Sequence, residues 1–239
     1  MARVFLTAEW RYLALLNYEV DPALVAPRVP PGTELDLFQG KAFVSLVGLR
    51  FLNTRVRGIP VPFHRNFEEV NLRFYVRRRD AGELKRGVVF IQEIVPRRAI
   101  AAIARWAYHE NYRALPMSHA ISQESGGPRV EYSWRLGGRT NRLVVAAVGA
   151  ARALPEGSLE EFIAEHYWGY CAQPGGRTME YHVAHPRWRV WDVTKAEFSG
   201  DAGALYGPEF AGVFNRPPDS AFLAEGSAVT VYEGRKLAD

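Results

Sequence analysis

The residues of this sequence best suited to chemistry lie together in one short segment, from position 67 to position 77. Successive side chains of a β-strand point to opposite faces, so a strand here would have an apolar face of Val70, Leu72, Phe74 and Val76. Its other face would carry a carboxylate, a carboxamide, guanidinium groups and a phenol: Glu69, Asn71, Arg73, Tyr75 and Arg77. These groups suit oriented hydrogen bonding, so the segment predicts a binding or catalytic wall. The alternative is a polar face in contact with water, as in many antiparallel sheets.

A second group of titratable and aromatic side chains lies between positions 105 and 119 and includes Arg105, Tyr112 and His119. It falls where a predicted helix ends, and the ends of rigid elements often carry functional side chains. The alternative is an aromatic plug at the end of that helix. His64 lies in the loop before the polar segment, where it could lean over a pocket or be an ordinary loop residue.

Nothing in the sequence indicates a bound metal or a nucleotide cofactor. Of the six histidines, His182 and His185 are the closest pair, but residues three apart on a strand point to opposite faces. Cys171 is the only cysteine, which excludes an intrachain disulfide and a cysteine-based zinc site. The dinucleotide fingerprint, the phosphate-binding glycine loop and the serine elbow are all missing. We therefore expect no cofactor and no metal.

Charge and hydropathy limit the partners and the location of the protein. The net charge of +4 is not concentrated in a basic tract, so we expect no nucleic-acid partner. Glu9 and Arg11 interrupt any signal-peptide core, and no apolar run reaches the roughly 20 residues that a membrane helix needs. We expect a cytoplasmic protein without a membrane segment. The sequence leaves a homo-oligomer open.

Strand-like runs dominate the chain, and most are bounded by glycine or proline. They cover residues 34–38, 42–51, 69–77, 87–95, 129–136, 142–150, 178–184, 188–198 and 228–232. Many strands with short turns predict a barrel or a pair of packed sheets. Composition is even from end to end, so we expect a single domain over residues 1–239.

Helices are predicted in two places, with a weaker signal at residues 22–25. The first covers residues 96–108, begins at a proline and has Arg105 on its far side. The second begins at a capping box formed by Ser158 and Glu161. Its aromatic packing face would include Phe162, Ile163, His166, Tyr167 and Tyr170.

Motifs along nearly the whole chain resemble the uncharacterised DUF2071 family of YqjF-like proteins. They are Trp10, Asp21-Pro22, Val29-Pro-Pro-Gly32, Phe38-x-Gly40-x-Ala42-Phe-Val, Phe67-x-Glu69-Val-Asn71-Leu-Arg73-x-Tyr75-Val, Gly87-Val-Val-Phe90, Pro116-Met117, Phe162-x-x-Glu165-x-Tyr167 and His185-Pro-x-Trp188. The family is grouped by fold with acetoacetate decarboxylase. The resemblance implies an α+β, mainly antiparallel β fold: a closed, cone-shaped barrel with a central cavity and a few peripheral helices.

The resemblance also implies roles for individual residues. Glu69 resembles the pocket glutamate of the decarboxylase, and Arg73 could hold a substrate carboxylate through paired N–H donors. The decarboxylase also needs a Schiff-base lysine, which the matching segment, residues 110–115, lacks. Lys41 in a turn, Lys85 in a charged loop, Lys195 on an exposed strand face and Lys236 in the tail are not expected to replace it.

The sequence therefore predicts a cavity that binds a small, anionic organic molecule oriented by Glu69, Asn71 and Arg73. Tyr112 and His119 would lie near the position of the missing lysine, and Arg105 would add positive potential. As an enzyme, the protein would be a lysine-independent lyase or isomerase acting on a keto or enol acid, with Glu69 as acid or base. The alternatives are a non-catalytic binding protein and a purely structural Glu69–Arg73 salt bridge.

Overall fold

A computed structural model describes residues 2–61, 63–97 and 110–237 of the chain. In these residues, fifteen strands form one sheet, and three short α-helices and two 3₁₀ turns lie between the strands. Almost all strand pairs are antiparallel, which confirms the predicted mainly antiparallel α+β class. Most of the predicted first helix, including Arg105, falls outside the described residues. None of the described helices is long and apolar enough to cross a lipid bilayer.

The elements have the following bounds. The strands are β1 (Val4–Val20), β2 (Glu34–Leu35), β3 (Ala42–Val56), β4 (Ile59–Pro60), β5 (Phe67–Asp80), β6 (Glu83–Val95), β7 (Tyr112–Ala114), β8 (Met117–Glu124), β9 (Gly127–Leu136), β10 (Arg139–Ala153), β11 (Trp168–Gln173), β12 (Arg177–Ala184), β13 (Arg189–Ser199), β14 (Ser220–Tyr232) and β15 (Arg235–Lys236). The helices are α1 (Pro22–Val25), α2 (Leu159–Ala164) and α3 (Ala202–Tyr206), with 3₁₀ turns at Ala26–Arg28 and Pro208–Phe210.

The sheet closes on itself and forms a ring of strands. The hydrogen-bonded order β12-β11-β6-β5-β3-β1-β14 returns to its start, because β14 also pairs with β12 through Val183 and Val231. Strands β13, β10, β9 and β8 continue from β14 outside the ring. Closure pairs the edges of the sheet and gives it an interior.

The two faces of β5 separate as the alternation predicts. Val70, Leu72 and Phe74 are buried in a core that also contains Tyr132 and Trp134 of β9, so this face packs against the outer strands. Phe67, on the other face, belongs to a second core with apolar residues of β1 and β3, and this core lies on the inner side of the ring. The polar residues of β5 therefore point into the ring because the sheet is closed.

The second predicted helix begins where expected but ends early. The Ser158 hydroxyl accepts a hydrogen bond from the Glu161 amide at 3.1 Å, as a capping box requires, while the Glu161 carboxylate accepts one from the Gly157 amide at 2.6 Å. The helix ends at Ala164, since Glu165 has left helical geometry with φ −93° and ψ 58°. Tyr170 is therefore in strand β11 and not on a helix, because residues 168–173 pair with β12.

Six strands were missed or mistaken in the sequence: β1, β8 and β11, and the short strands β4, β7 and β15. Strand β1 is the longest, and it pairs with β3 on one side and β14 on the other. It begins with charged residues among apolar ones, so its pattern resembles an irregular segment. The predicted helix at residues 22–25 is present as α1, which begins where the Asp21 carboxylate accepts a hydrogen bond from the Ala23 amide at 2.8 Å.

Gly169 allows β11 and β12 to pack with the Tyr181 ring between them. A Cβ atom at Gly169 would lie 2.0 Å from the Tyr181 ring, which is 8% exposed. We predict that Gly169→Ala lowers the free energy of unfolding by about 1–3 kcal/mol, because overpacking displaces that ring. Urea unfolding measures the effect. Gly212→Ala is the matched control, since nothing lies within 4 Å of its Cβ position. Equal stability of the two variants would contradict the prediction.

Candidate functional site

The ring encloses a cavity of about 160 Å³. Its apolar lining combines aliphatic residues with aromatic ones, among them Trp10, Phe51, Phe67, Phe90, Trp168 and Trp188. Its polar lining includes Glu69, Asn71, Arg73, Glu93, Glu110 and Tyr112. A mostly apolar cavity with a few converging polar groups is the usual form of a small-molecule site.

Glu69 is held at the cavity wall by two hydrogen bonds. It lies on β5, is 4% exposed, and accepts a hydrogen bond at Oε1 from Asn71 Nδ2 at 2.9 Å. Its other oxygen, Oε2, accepts one from the Tyr112 hydroxyl at 3.2 Å. Burial raises the pKa of Glu69 to about 7, although both hydrogen bonds and the charge of Arg73 oppose this shift. Near neutral pH this carboxyl group is therefore present in both its acid and its base form.

Two further glutamates lie beside Glu69, and the sequence analysis did not identify either of them. Glu93 on β6 is 2% exposed, and Glu110, just before β7, is 5% exposed. Tyr181 of β12 donates a hydrogen bond to Glu110 Oε1 at 3.0 Å. Burial raises the pKa of Glu110 to about 8, and burial together with Glu110 and Glu69 raises that of Glu93 well above its usual value. Three carboxyl groups thus share one buried region, in which their protonated forms are favoured.

A β-bulge explains why Glu93 was missed. Strict alternation after Val88 and Phe90, which both line the cavity, would point Gln92 inward. The register between β5 and β6 shifts at this point, so that Leu72 pairs with Gln92 but Arg73 pairs with Phe90. The extra residue in β6 changes which side chains face inward, and Glu93 enters the cavity opposite Asn71. The one signal in the sequence was a glutamate, next to Gln92, in a strand run whose other residues are Gly, Val, Phe and Ile.

Arg73 is a buried cation with unused hydrogen-bonding capacity. The residue is 9% exposed, its Nη2 donates to the Ile163 carbonyl at 3.4 Å, and its Nε has no partner. Its guanidinium carbon lies 5.8 Å from the centroid of the Tyr75 ring. Within the described part of the chain, Arg73 and Glu69 form no salt bridge with each other, which removes the purely structural ion pair as an explanation.

The other predicted site residues are distributed differently. His64 lines the cavity near residues 54–61 of the β3–β4 region. Tyr75 does not line it, because its hydroxyl is hydrogen-bonded to Ser45 and its ring packs against Phe162 and His166. His119 does not line it either: it lies on β8 and pairs with Glu68, which points away from Glu69 on β5. Arg105 lies outside the described residues.

The four lysines all fall in described segments, and none lines the cavity. The prediction of a charged loop for Lys85 is wrong: it lies in β6, and its residue is 6% exposed. Its ammonium group bonds Asp80 at 2.6 Å and Glu180 at 3.3 Å and lies 4.2 Å from the centroid of Trp168. In the same described segments, no three His, Cys, Asp or Glu side chains are grouped as metal ligands would be.

Comparison with known sequences identifies relatives of the chain. The model of the DUF2071 family, described as an uncharacterized conserved protein, matches residues 7–228. The uncharacterized protein YqjF of Bacillus subtilis is 30% identical over 125 residues, which cover 52% of this chain and 48% of YqjF. The match therefore spans about half the length of that relative.

Comparison with solved structures shows the fold. Acetoacetate decarboxylase from Legionella pneumophila superposes with a TM-score of 0.68 at 15% identity, over 99% of this chain and 88% of that one. The enduracididine biosynthesis enzyme MppR, in complex with pyruvate, gives a TM-score of 0.70 at 14% identity, over 100% and 92%. Identities this low establish a shared fold only. The expected acetoacetate decarboxylase-like fold is confirmed.

The buried carboxyl groups predict a pH dependence of stability. A carboxyl group whose pKa is higher in the folded than in the unfolded protein binds its proton more tightly in the folded state. Its contribution to the free energy of unfolding is fully present below the unfolded pKa and is lost as pH rises through the folded pKa. With folded pKa values of about 7 for Glu69 and about 8 for Glu110, the melting temperature should fall between about pH 5 and about pH 8. Each pKa unit corresponds to about 1.4 kcal/mol, so the loss is on the order of a few kcal/mol.

Glu110→Gln should reduce this loss, since an amide cannot ionise. Glu197→Gln, at an exposed residue that pairs with Lys195, is the control and should melt like the unmodified protein at each pH. Thermal melts across this range measure the difference. A Glu110→Gln protein with the unmodified pH profile would show that this carboxyl group does not titrate as described.

Proposed function

The chain belongs to the DUF2071 family, and we propose that its cavity binds a small organic carboxylate. The observation that carries the proposal is the buried guanidinium of Arg73, whose Nε has no partner and which lines the cavity. A buried cation without a paired anion is costly, and a ligand carboxylate would remove that cost through charge-assisted, two-point hydrogen bonding.

The size and the lining of the cavity support a ligand of few atoms. Its volume of about 160 Å³ is close to the roughly 150 Å³ of an engineered apolar cavity that holds benzene. MppR, which shares the fold, has been solved with pyruvate, a small keto acid. A ligand of this size would place its carboxylate at Arg73 and any apolar part against the aromatic lining.

Glu69 gives the cavity a group that can transfer a proton. With a pKa of about 7, it can take a proton from a carbon next to a carbonyl group and return it at another position. The Arg73 guanidinium would stabilise the negative charge that develops on the resulting enolate, and a protonated Glu110 would donate a hydrogen bond to it. The corresponding reaction class is a lyase or isomerase that acts on a keto or enol acid without a Schiff-base lysine.

One observation favours a second candidate, a non-catalytic binding protein. Both oxygens of Glu69 already accept hydrogen bonds, from Asn71 and from Tyr112. In that case the network would hold the wall in a fixed shape around a bound metabolite, and Glu69 would transfer no proton. The two candidates share the ligand class and differ in turnover.

Removal of the Arg73 guanidinium should abolish carboxylate binding. We predict that small keto, hydroxy and aromatic acids raise the melting temperature of the unmodified protein, since a ligand at a hundred times its Kd stabilises by about 2.7 kcal/mol. Arg73→Gln should lose this shift, and Arg73→Lys should retain part of it because a point charge remains.

Arg77→Gln is the matched control, because Arg77 lies on the same strand but pairs with Glu34 at the surface. Its thermal shifts should equal those of the unmodified protein. Carboxylate binding that survives in both Arg73 variants, each shown to be folded, would contradict the proposed site.

Glu69→Gln should separate the enzyme from the binding protein. The amide keeps the size of the side chain but cannot act as a base, so an enzyme should keep affinity and lose about 10²- to 10⁴-fold in proton transfer. Exchange of the methyl protons of pyruvate with D₂O, followed by proton NMR, measures this step. Glu68→Gln is the control, since that residue pairs with His119 away from the cavity. If the methyl protons of pyruvate exchange no faster with the unmodified protein than in buffer, the protein does not catalyse proton transfer on pyruvate.

A further inference from the structure

Three glutamates, one arginine and three histidines line the cavity, and burial lowers the pKa of two of the histidines, His166 and His185, to about 4. Glu69, Glu93 and Glu110 all line it, and Arg73 is the one arginine or lysine among its described lining residues. With the three glutamates and Arg73 ionised and the histidines neutral, the lining would carry two more negative charges than positive ones. Protonation of the carboxyl groups removes this excess in the empty cavity, and a cation inside the cavity would remove it equally well.

Hydrogen-bonding capacity is unused at two neighbouring positions of the wall. Arg73 Nε is a buried donor without a partner. Asn71 Oδ1 and Glu93 Oε2 are buried oxygens without a partner, and their residues lie directly opposite each other on β5 and β6. Asn71 is two residues from Arg73, or about 7 Å along a strand. The wall therefore lacks a hydrogen-bond acceptor at Arg73 and a hydrogen-bond donor at Asn71 and Glu93.

A single small molecule could satisfy both ends. We propose that the ligand is an amino acid, with its carboxylate at Arg73 and its ammonium group at Asn71 and Glu93. This inference rests on the proposed function, because it assigns a second group to the same carboxylate ligand. It requires ionisation of the carboxyl group that meets the ammonium, and the displaced proton leaves to solvent.

An ammonium group fits this position better than a hydroxyl group. It has three N–H donors and can serve both unpaired oxygens together, whereas a hydroxyl has one donor. It also carries the positive charge that three neighbouring carboxyl groups lack, and the aromatic lining would attract a cation as well. The raised carboxyl pKa values agree with such a site in its empty state, because the protein alone does not stabilise the ionised forms of these buried groups.

Matched ligand pairs test the proposal with the full chain. The probes are glycine, L-alanine, β-alanine, γ-aminobutyrate and L-phenylalanine, each beside the acid that lacks the amine, namely acetate, propionate, butyrate or phenylpropionate. Lactate and β-hydroxypropionate are the hydroxyl analogues. Titration calorimetry at pH 7, in two buffers of different ionisation enthalpy, gives the affinity and the number of protons exchanged. We expect at least one amino acid to bind about tenfold or more tightly than its partner acid and to release protons, whereas the simple acid takes protons up.

Glu93→Gln should remove the preference for the amine and leave binding of the simple acid in place. Glu197→Gln, on the exposed face of β13, is the control and should keep the preference. Proton release by the unmodified protein is an independent readout, so the test does not depend on the folding of a variant.

Each other outcome overturns the inference. If the simple acids bind as tightly as the amino acids, the ammonium position is wrong, while the proposed carboxylate site remains. If the hydroxy acids match the amino acids, a neutral donor is sufficient. If none of the amines, acids or hydroxy acids binds, the amino-acid inference and the proposed carboxylate site both fail for ligands of this size.

Discussion

The burial of three glutamates beside a single arginine is the constraint on which the site depends. An isolated charge in a protein interior costs several kcal/mol, so carboxyl groups without a nearby cation hold their protons instead. The hydrogen bonds from Tyr112 to Glu69 and from Tyr181 to Glu110 fix these groups but do not neutralise them. The result is a wall whose protonation, and hence whose hydrogen-bonding character, changes with pH near neutrality.

Another buried glutamate, Glu180, shows what a fully paired arrangement looks like in the same protein. Glu180 on β12 is 1% exposed and has cations on several sides, among them Lys85 at 3.3 Å and Arg235 at 2.8 Å, while Tyr170 donates to it at 3.1 Å. These contacts tie β15 and β6 to β12 and have a structural role. Among the described residues, the cavity carboxyl groups have no cation within salt-bridge distance, and burial raises their pKa values.

The ring of strands makes this arrangement possible. Outside the ring, the apolar face of β5 packs under the outer strands, so its polar face is turned toward the interior of the ring. Inside, β5 supplies three polar side chains to the same region, Glu69, Asn71 and Arg73, and β6, β7 and β12 supply Glu93, Tyr112 and Tyr181. Gly169 contributes by its lack of a side chain, since the Tyr181 ring occupies the space where a Cβ atom would lie. Strands β5 and β6 therefore position Glu69 and Glu93, and Glu110 lies two residues before β7.

The sequence by itself determined the alternating faces of β5 and the start of α2, because each follows from neighbours along the chain. Its motifs also determined the family and the fold. It did not reveal Glu93 or Glu110, and it misplaced Tyr75 and His119. Those positions depend on a bulge between β5 and β6, on the parallel pairing of β7 with β6 and on the closure of β12 against β14. Only the tertiary structure decided them, because strand register and ring closure join residues far apart in sequence. Local hydrophobic periodicity does not predict such pairings.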